Sequence, residues 1–232
     1  MDDQVIGKQS SHEIYSYPSN YNNDTINLKN GNILKRETVL PHGQISVIDL
    51  EGTISNDECD FIVDNIQKHK ILNNETADEH RSNVTYVTCH GIGLAQLKRY
   101  DVGAAEKILE ILYRALNIVK RRFEGVVQTK SFSEINLREI FAPTLCHCDA
   151  PTNKLDDRVL SVIIALNDDY KGGVIHFPEQ QFSCKLRKLQ MIAFPPFWTH
   201  PHFVTEPLDG TVRYTANTWL NFTDIGSKVY KI

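Results

Sequence analysis

A chain of 232 residues with 41% apolar content is sized for one domain with a substantial core. Its 25 Lys and Arg against 29 Asp and Glu give a net charge of -4, which supplies no general attraction to phosphate backbones or anionic lipid and counts against nucleic-acid and membrane partners. The longest apolar run, residues 159–166, is too short to cross a bilayer, and five cysteines are an odd and sparse set for a disulfide framework, so a soluble cytoplasmic protein is expected.

Residues 1–35 are rich in Asn, Ser, Asp and Tyr and show no sustained apolar period, so a flexible N-terminal arm is expected there. Order begins near Gln44-Ile45-Ser46-Val47-Ile48, where Ile45 and Val47 alternate with polar neighbours as in a half-buried strand. Ser55-Asn56-Asp57-Glu58 has capping-box spacing, contributing about 1 kcal/mol, and starts a helix through Phe61, Ile62 and Ile66. A polar loop through Asn73, Asn74 and Glu75 precedes a strand over residues 83–89. His90 follows beside Gly91; it can ligate a metal, but a lone histidine beside a turn glycine is far more often structural. Between Asp101 and Gly125, Ala105, Ile108, Leu109, Leu112, Ala115, Leu116, Val119 and Phe123 fall at helical intervals, which predicts a long amphipathic helix along the outside of a sheet.

From Ser131 the texture changes to short strands, expected near residues 132–137, 144–149, 160–166, 174–177, 191–194, 202–204 and 212–220. Asn167-Asp168-Asp169-Tyr170-Lys171-Gly172-Gly173 is a turn rich in residues that tolerate positive φ. The fold class is therefore mainly β with flanking helices: residues 36–130 give helical support and outer strands, and 131–232 a jelly-roll core.

Chemistry enters at His147-x-Asp149. Two residues apart in a strand, these side chains share a face, while Cys146 and Cys148 point the other way as small core residues. His202, far downstream, can join them from a neighbouring strand. Two histidines and one carboxylate leave coordination positions open, which is the ligand set of non-haem Fe(II) oxygenases. Arg213 needs a partner if it points into a barrel, and a dicarboxylic co-substrate supplies one, with Thr215 on the same face to add a hydroxyl. Rival assignments stay open. His200 can replace His202 as ligand, His176 reads as a strand residue satisfied by a backbone group, Trp219 reads as core, and Thr215 is as readily β-strand filler. The basic runs Lys120-Arg121-Arg122 and 185–188 read as solvated faces.

His147-x-Asp149, Arg158-Val159-Leu160-Ser161, the turn at 166–173, Pro201-His202-Phe203-Val204, Gly210, Arg213-Tyr214 and Trp219 form an ordered series. It resembles the 2-oxoglutarate and Fe(II)-dependent dioxygenases, and within them the prolyl 4-hydroxylase-like branch with its bacterial, phage and large-virus members. The resemblance implies that residues 36–232 form a single oxygenase domain with a cupin-like double-stranded β-helix. It implies iron held by His147, Asp149 and His202, and 2-oxoglutarate anchored by Arg213. Fe(II), 2-oxoglutarate, O2 and ascorbate as reductant follow as cofactors, with succinate and CO2 released as a C–H bond is hydroxylated. Related halogenases replace the carboxylate with a small residue to admit chloride, so Asp149 favours hydroxylation.

The chain departs from that branch in two places. Arg138-Glu139-Ile140-Phe141-Ala142-Pro143 stands where those enzymes commonly place a tyrosine and a glycine, so the usual tyrosine contact to 2-oxoglutarate has no counterpart. Arg213 stands where they often use lysine at closer spacing, which implies a reshaped pocket. The expected substrate is a prolyl residue of a peptide or protein. The alternatives are a free amino acid, a lysyl side chain or an alkylated base under the same chemistry, and a non-catalytic jelly-roll binding domain. Substrate-clasping loops are expected at 73–82 and 151–157.

Overall fold

The computed structural model describes residues 44–72, 89–124, 129, 131–150 and 157–222, all within one compact unit, Glu37–Ile232. The expected N-terminal arm, the polar loop at 73–75, nearly all of the strand expected over 83–89, and both expected substrate loops except Asp157 lie outside these residues.

The chain opens with β1 (Ser46–Asp49) and α1 (Asn56–His69). Ser55 caps α1 as expected: its Oγ accepts the Glu58 N–H at 3.1 Å and the Glu58 carboxylate accepts the Ser55 N–H at 2.9 Å. β2 (Ile71–Leu72), β3 (Cys89–Gly93), α2 (Leu94–Tyr100) and α3 (Val102–Phe123) follow. Gly91 was read as a turn residue, but it lies inside β3. A Cβ there would stand 2.4 Å from the Leu137 carbonyl oxygen, so close strand approach rather than a turn explains the glycine. α3 is the expected long helix, capped by Asp101, with Ile111 rather than Leu109 on its buried stripe. α2 has no counterpart among the expected elements. Its cap comes from far along the chain, the Glu134 carboxylate accepting the Ala95 N–H at 2.6 Å.

The remaining elements are β4 (Ser131–Phe132), β5 (Asn136–Ile140), β6 (Thr144–His147), β7 (Arg158–Ala165), β8 (Lys171–Gly172), β9 (Ile175–Phe177), β10 (Phe182–Cys184), β11 (Gln190–Phe194), β12 (His202–Val204), β13 (Pro207–Leu208) and β14 (Arg213–Asn221). The strand expected over 132–137 is two strands, because both β4 and β5 pair with β14, at opposite ends of it. The larger sheet runs β1-β11-β7-β14-β5-β3-β2, with β4 also on β14; the smaller runs β10-β9-β12-β6. Among the described residues the architecture is mostly antiparallel sheet with three helices, as the jelly-roll expectation had it.

Residue parity divides the larger sheet into two faces. Ile48, Leu160, Val162, Ile164, Met191, Ala193, Ala216 and Leu220 pack with the helices, whereas Ile45, Ile163, Ala165, Ile192 and Phe194 pack with the smaller sheet. Both faces of β7 are covered, which is why its sequence is a nearly continuous apolar run rather than an alternation. Buried polar residues on β12 and β14, His202, Arg213 and Thr215, stand out against these apolar sets. No helix among the described residues is long and apolar enough to cross a membrane.

Candidate metal centre

β6 and β12 are antiparallel neighbours in the smaller sheet, and their register sets His147 directly opposite His202. Asp149 was expected on the same strand as His147, but β6 ends at His147 and Asp149 sits in the bend beyond it. Its backbone carbonyl accepts a hydrogen bond from Arg158 Nη1 at 2.6 Å, and the N–H of the next residue, Ala150, donates to Pro196 O at 2.8 Å. These anchors bring the carboxylate back to the histidines. One ligand atom from each of His147, Asp149 and His202 lies within 4.8 Å of the others.

The hydrogen bonds around the three side chains aim them. His147 Nδ1 lies 2.8 Å from the Leu145 carbonyl and His202 Nδ1 lies 3.2 Å from the His200 carbonyl. A carbonyl can only accept, so both Nδ1 atoms carry the proton and both Nε2 atoms turn inward. These Nε2 atoms stand 3.3 and 3.9 Å from Asp149 Oδ1, while Asp149 Oδ2 is taken by the Ser161 hydroxyl at 2.6 Å. Two imidazole nitrogens and one carboxylate oxygen therefore converge, each held from behind, as preorganised metal ligands are. The His202 side chain is 3% exposed and that of His147 26%, so the site has a closed base and an open rim.

The three groups also bias one another's charge. Burial alone would raise Asp149, but hydrogen bonding from His147, the charges of both histidines and the Ser161 hydroxyl hold it well below the usual carboxylate range. Burial pulls His147 down, yet the bond to Asp149, the charge of Asp149 and the Leu145 carbonyl together outweigh it and the net direction is upward. His202, more deeply placed, is pushed down by burial.

Residues of β14 line the pocket behind this cluster. Arg213 is 2% exposed and Thr215 0%, and Arg213 Nε and Nη2 and Thr215 Oγ1 are buried without a hydrogen-bond partner. Asn217 Oδ1 and Trp219 Nε1, two and four residues beyond Thr215 on the same face, are buried and unpartnered as well. Arg213 lines one pocket together with His147, Asp149, His202, Arg138, Asn217 and Trp219. Burial draws the Arg213 guanidinium below the ordinary arginine value, opposed by the Tyr170 hydroxyl beside it. Gly173, at φ +64°, makes room: a Cβ would stand 2.7 Å from the Tyr170 ring and 3.3 Å from Arg213 Cδ.

Several expectations are corrected. Trp219 is no core residue but a pocket wall, with the Arg158 guanidinium 3.9 Å over its ring. Cys146 is exposed and Cys148 half-buried, on and just beyond β6, the outermost strand of the smaller sheet among the described residues. His176 bonds the Ser183 hydroxyl at 2.7 Å and stacks on Phe203. His200 stays outside the cluster, with its Nδ1 2.9 Å from the Thr199 hydroxyl. His90 is structural as expected, 3.0 Å from the Glu139 carboxylate. Ser161 was missed as a site residue, although it is the single hydroxyl in the apolar run at 159–166.

Residues 142–221 match the model of the 2OG-Fe(II) oxygenase superfamily. No curated protein matches it in sequence. Among solved structures it is similar to the viral collagen prolyl hydroxylase of Paramecium Bursaria Chlorella virus-1 in its 2OG complex, with TM-score 0.57, 14% identity, and coverage of 77% of this chain and 96% of that one. The prolyl hydroxylase of Trichoplax adhaerens, bound to a hypoxia inducible factor peptide fragment, gives TM-score 0.61, 12% identity and coverage of 82% and 88%. A Pseudomonas putida prolyl-4-hydroxylase gives 0.54, 14%, 79% and 94%. At these identities the likeness is one of fold, and that fold is the double-stranded β-helix expected from the sequence.

Proposed function

We propose, from the premise that residues 142–221 form a 2OG-Fe(II) oxygenase domain, that this protein is a dioxygenase in which His147, Asp149 and His202 hold Fe(II) and Arg213 with Thr215 holds 2-oxoglutarate. The observation that carries the reading is the set of unpartnered buried donors, Arg213 Nε and Nη2 and Thr215 Oγ1, behind a converging His-Asp-His cluster. A buried guanidinium without a counter-charge costs several kcal/mol, and a carboxylate reaching the pocket floor removes that cost. The donor chemistry of the cluster fits a ferrous ion, since imidazole and carboxylate with open positions suit it.

Iron, 2-oxoglutarate and O2 together supply the oxidation, in which the co-substrate is decarboxylated to succinate and CO2 and one oxygen atom enters a C–H bond. The chain's own residues orient the participants. The Leu145 and His200 carbonyls fix the imidazole tautomers, Ser161 fixes one carboxylate oxygen, and Arg158 clamps the Asp149 backbone. His202 and Phe194 pack edge to face and exclude water from the base of the site.

The substrate we infer is a prolyl residue in a peptide. Leu145, Phe197 and Trp198 are exposed, Leu145 on the ligand-bearing β6 and the other two on the segment whose Pro196 is bonded to Ala150. Exposed apolar side chains on segments that also carry or anchor the ligand residues suit an uncharged ring better than a free amino acid. The prolyl hydroxylases of similar fold add support. With all five thiols outside disulfides and a ferrous centre to protect, the reading places the protein in a reducing compartment such as the cytoplasm. The test is succinate release with proline-containing peptides, free amino acids and single-stranded nucleic acid offered in parallel. Peptide-dependent succinate and a mass gain of one oxygen on proline are expected; turnover stimulated only by another class would overturn the prolyl assignment.

A further inference from the structure

The pocket carries a second cation that the metal cluster and Arg213 leave without a task. Arg138 sits in the middle of β5, paired with Thr215 of β14 on one side and Gly91 of β3 on the other. It lines the same pocket as His147, Asp149, His202 and Arg213, and its Nε is buried with no acceptor. The neighbouring carboxylates are engaged elsewhere. Glu139 turns to the opposite face, where Lys70 Nζ lies at 2.8 Å and His90 Nδ1 at 3.0 Å, and Asp149 is shared by His147 and Ser161. Glu134 caps α2.

Arg138 thus shares one pocket with His147 of the metal cluster and with Arg213. Two guanidiniums around one carboxylate form a field that an anionic ligand relieves. Arg213 and Thr215 already meet one carboxylate at the floor, so the acceptors left on a bound 2-oxo diacid are those near the metal cluster. We propose that Arg138 binds the metal-side carboxylate of 2-oxoglutarate, so that a guanidinium holds each end of the co-substrate. The proposal rests on the reading of Arg213 above.

Calorimetric titration of the Mn(II)-loaded protein separates the two ends. The probes are 2-oxoglutarate and 2-oxopentanoate, which has the same chain length but no distal carboxylate. Arg138→Gln should weaken both by about ten- to a hundredfold, the loss of one charge-assisted contact. Arg213→Met should bring 2-oxoglutarate down to the level of 2-oxopentanoate and leave the latter unchanged. Mn(II) affinity of Arg138→Gln should stay equal or rise, because a cation near His147 has gone, and this separates a lost contact from general damage. Arg138→Lys, which keeps the charge, should recover part of the affinity and decides the matter if the glutamine variant fails to fold. Unchanged binding of both probes to Arg138→Gln overturns the proposal, and so does weakening of 2-oxoglutarate alone, which would place Arg138 at the distal carboxylate. A wild-type protein that binds Mn(II) but not 2-oxoglutarate sinks the co-substrate reading itself, a result visible before any variant is made.

Discussion

Replacing Arg213 by methionine should move stability in opposite directions with and without the co-substrate. Arg213 is 2% exposed and two of its nitrogens lack partners, so the folded protein without ligand holds a guanidinium that water would solvate better. An apolar side chain of similar length removes that penalty, and the ligand-free variant should gain about 1–4 kcal/mol. The same two nitrogens, at about 1.5–3 kcal/mol per charge-assisted bond, account for about 3–6 kcal/mol of 2-oxoglutarate affinity, or about two to four orders of magnitude in Kd. At a ligand concentration about 100 times Kd, the wild-type protein gains about 2.7 kcal/mol. At about 2–4 °C per kcal/mol for a chain of this size, that is a rise in Tm of about 5–11 °C. Thermal melts in Mn(II), with and without 2-oxoglutarate, should show the variant starting higher and failing to respond. A variant that melts lower without ligand, or that keeps the wild-type response, would refute the reasoning, since Arg213 would then be a structural tie rather than an anion site.

Three other outcomes are expected. Ser161→Ala frees Asp149 Oδ2 from its 2.6 Å hydrogen bond and should weaken Mn(II) binding by about 10- to 100-fold by calorimetry, with little change in Tm of the metal-free protein. Burial pushes Glu139 up, but hydrogen bonds from Lys70, His90 and Tyr214 outweigh it and hold it below the usual carboxylate value. A depressed carboxyl gives stability that is fully present above its unfolded pKa and is lost as pH falls through the folded one. Glu139→Gln should thus cost about 1–3 kcal/mol near neutrality in urea denaturation, with the gap to wild type closing below about pH 4. Burial pushes the Cys59 thiol up to about 11 and the Cys184 thiol up to about 12. A thiol reagent at about pH 8 should therefore label exposed Cys146 at once and those two only when urea is added.

What could be read in advance followed from how local each signal is. The capping box at Ser55 and the apolar stripe of α3 lie within a few residues of what they cause, and both were legible. α2 was not, because the carboxylate that caps it belongs to Glu134. The cluster residues His147, Asp149 and His202 were legible as chemistry, and the structure brings them together, but by a route that strand periodicity did not foresee. Asp149 lies beyond its strand and is steered by Arg158 and the Pro196 carbonyl. Trp219 was misjudged because an indole suits a core and a pocket wall equally by composition. Only the identity of the facing layer decides between them, and here that layer is the pocket.

β14 divides its labour by parity, Arg213, Asn217 and Trp219 lining the pocket with Thr215 on the same face between them, while Tyr214, Ala216 and Leu220 join the core beneath the helices. A drifting lineage can therefore rewrite one set while the other stays intact, so new ligand preferences can arise by substitution without loss of the scaffold. An insertion or deletion of a single residue has no such freedom: it would trade the two sets and put a guanidinium against the helices.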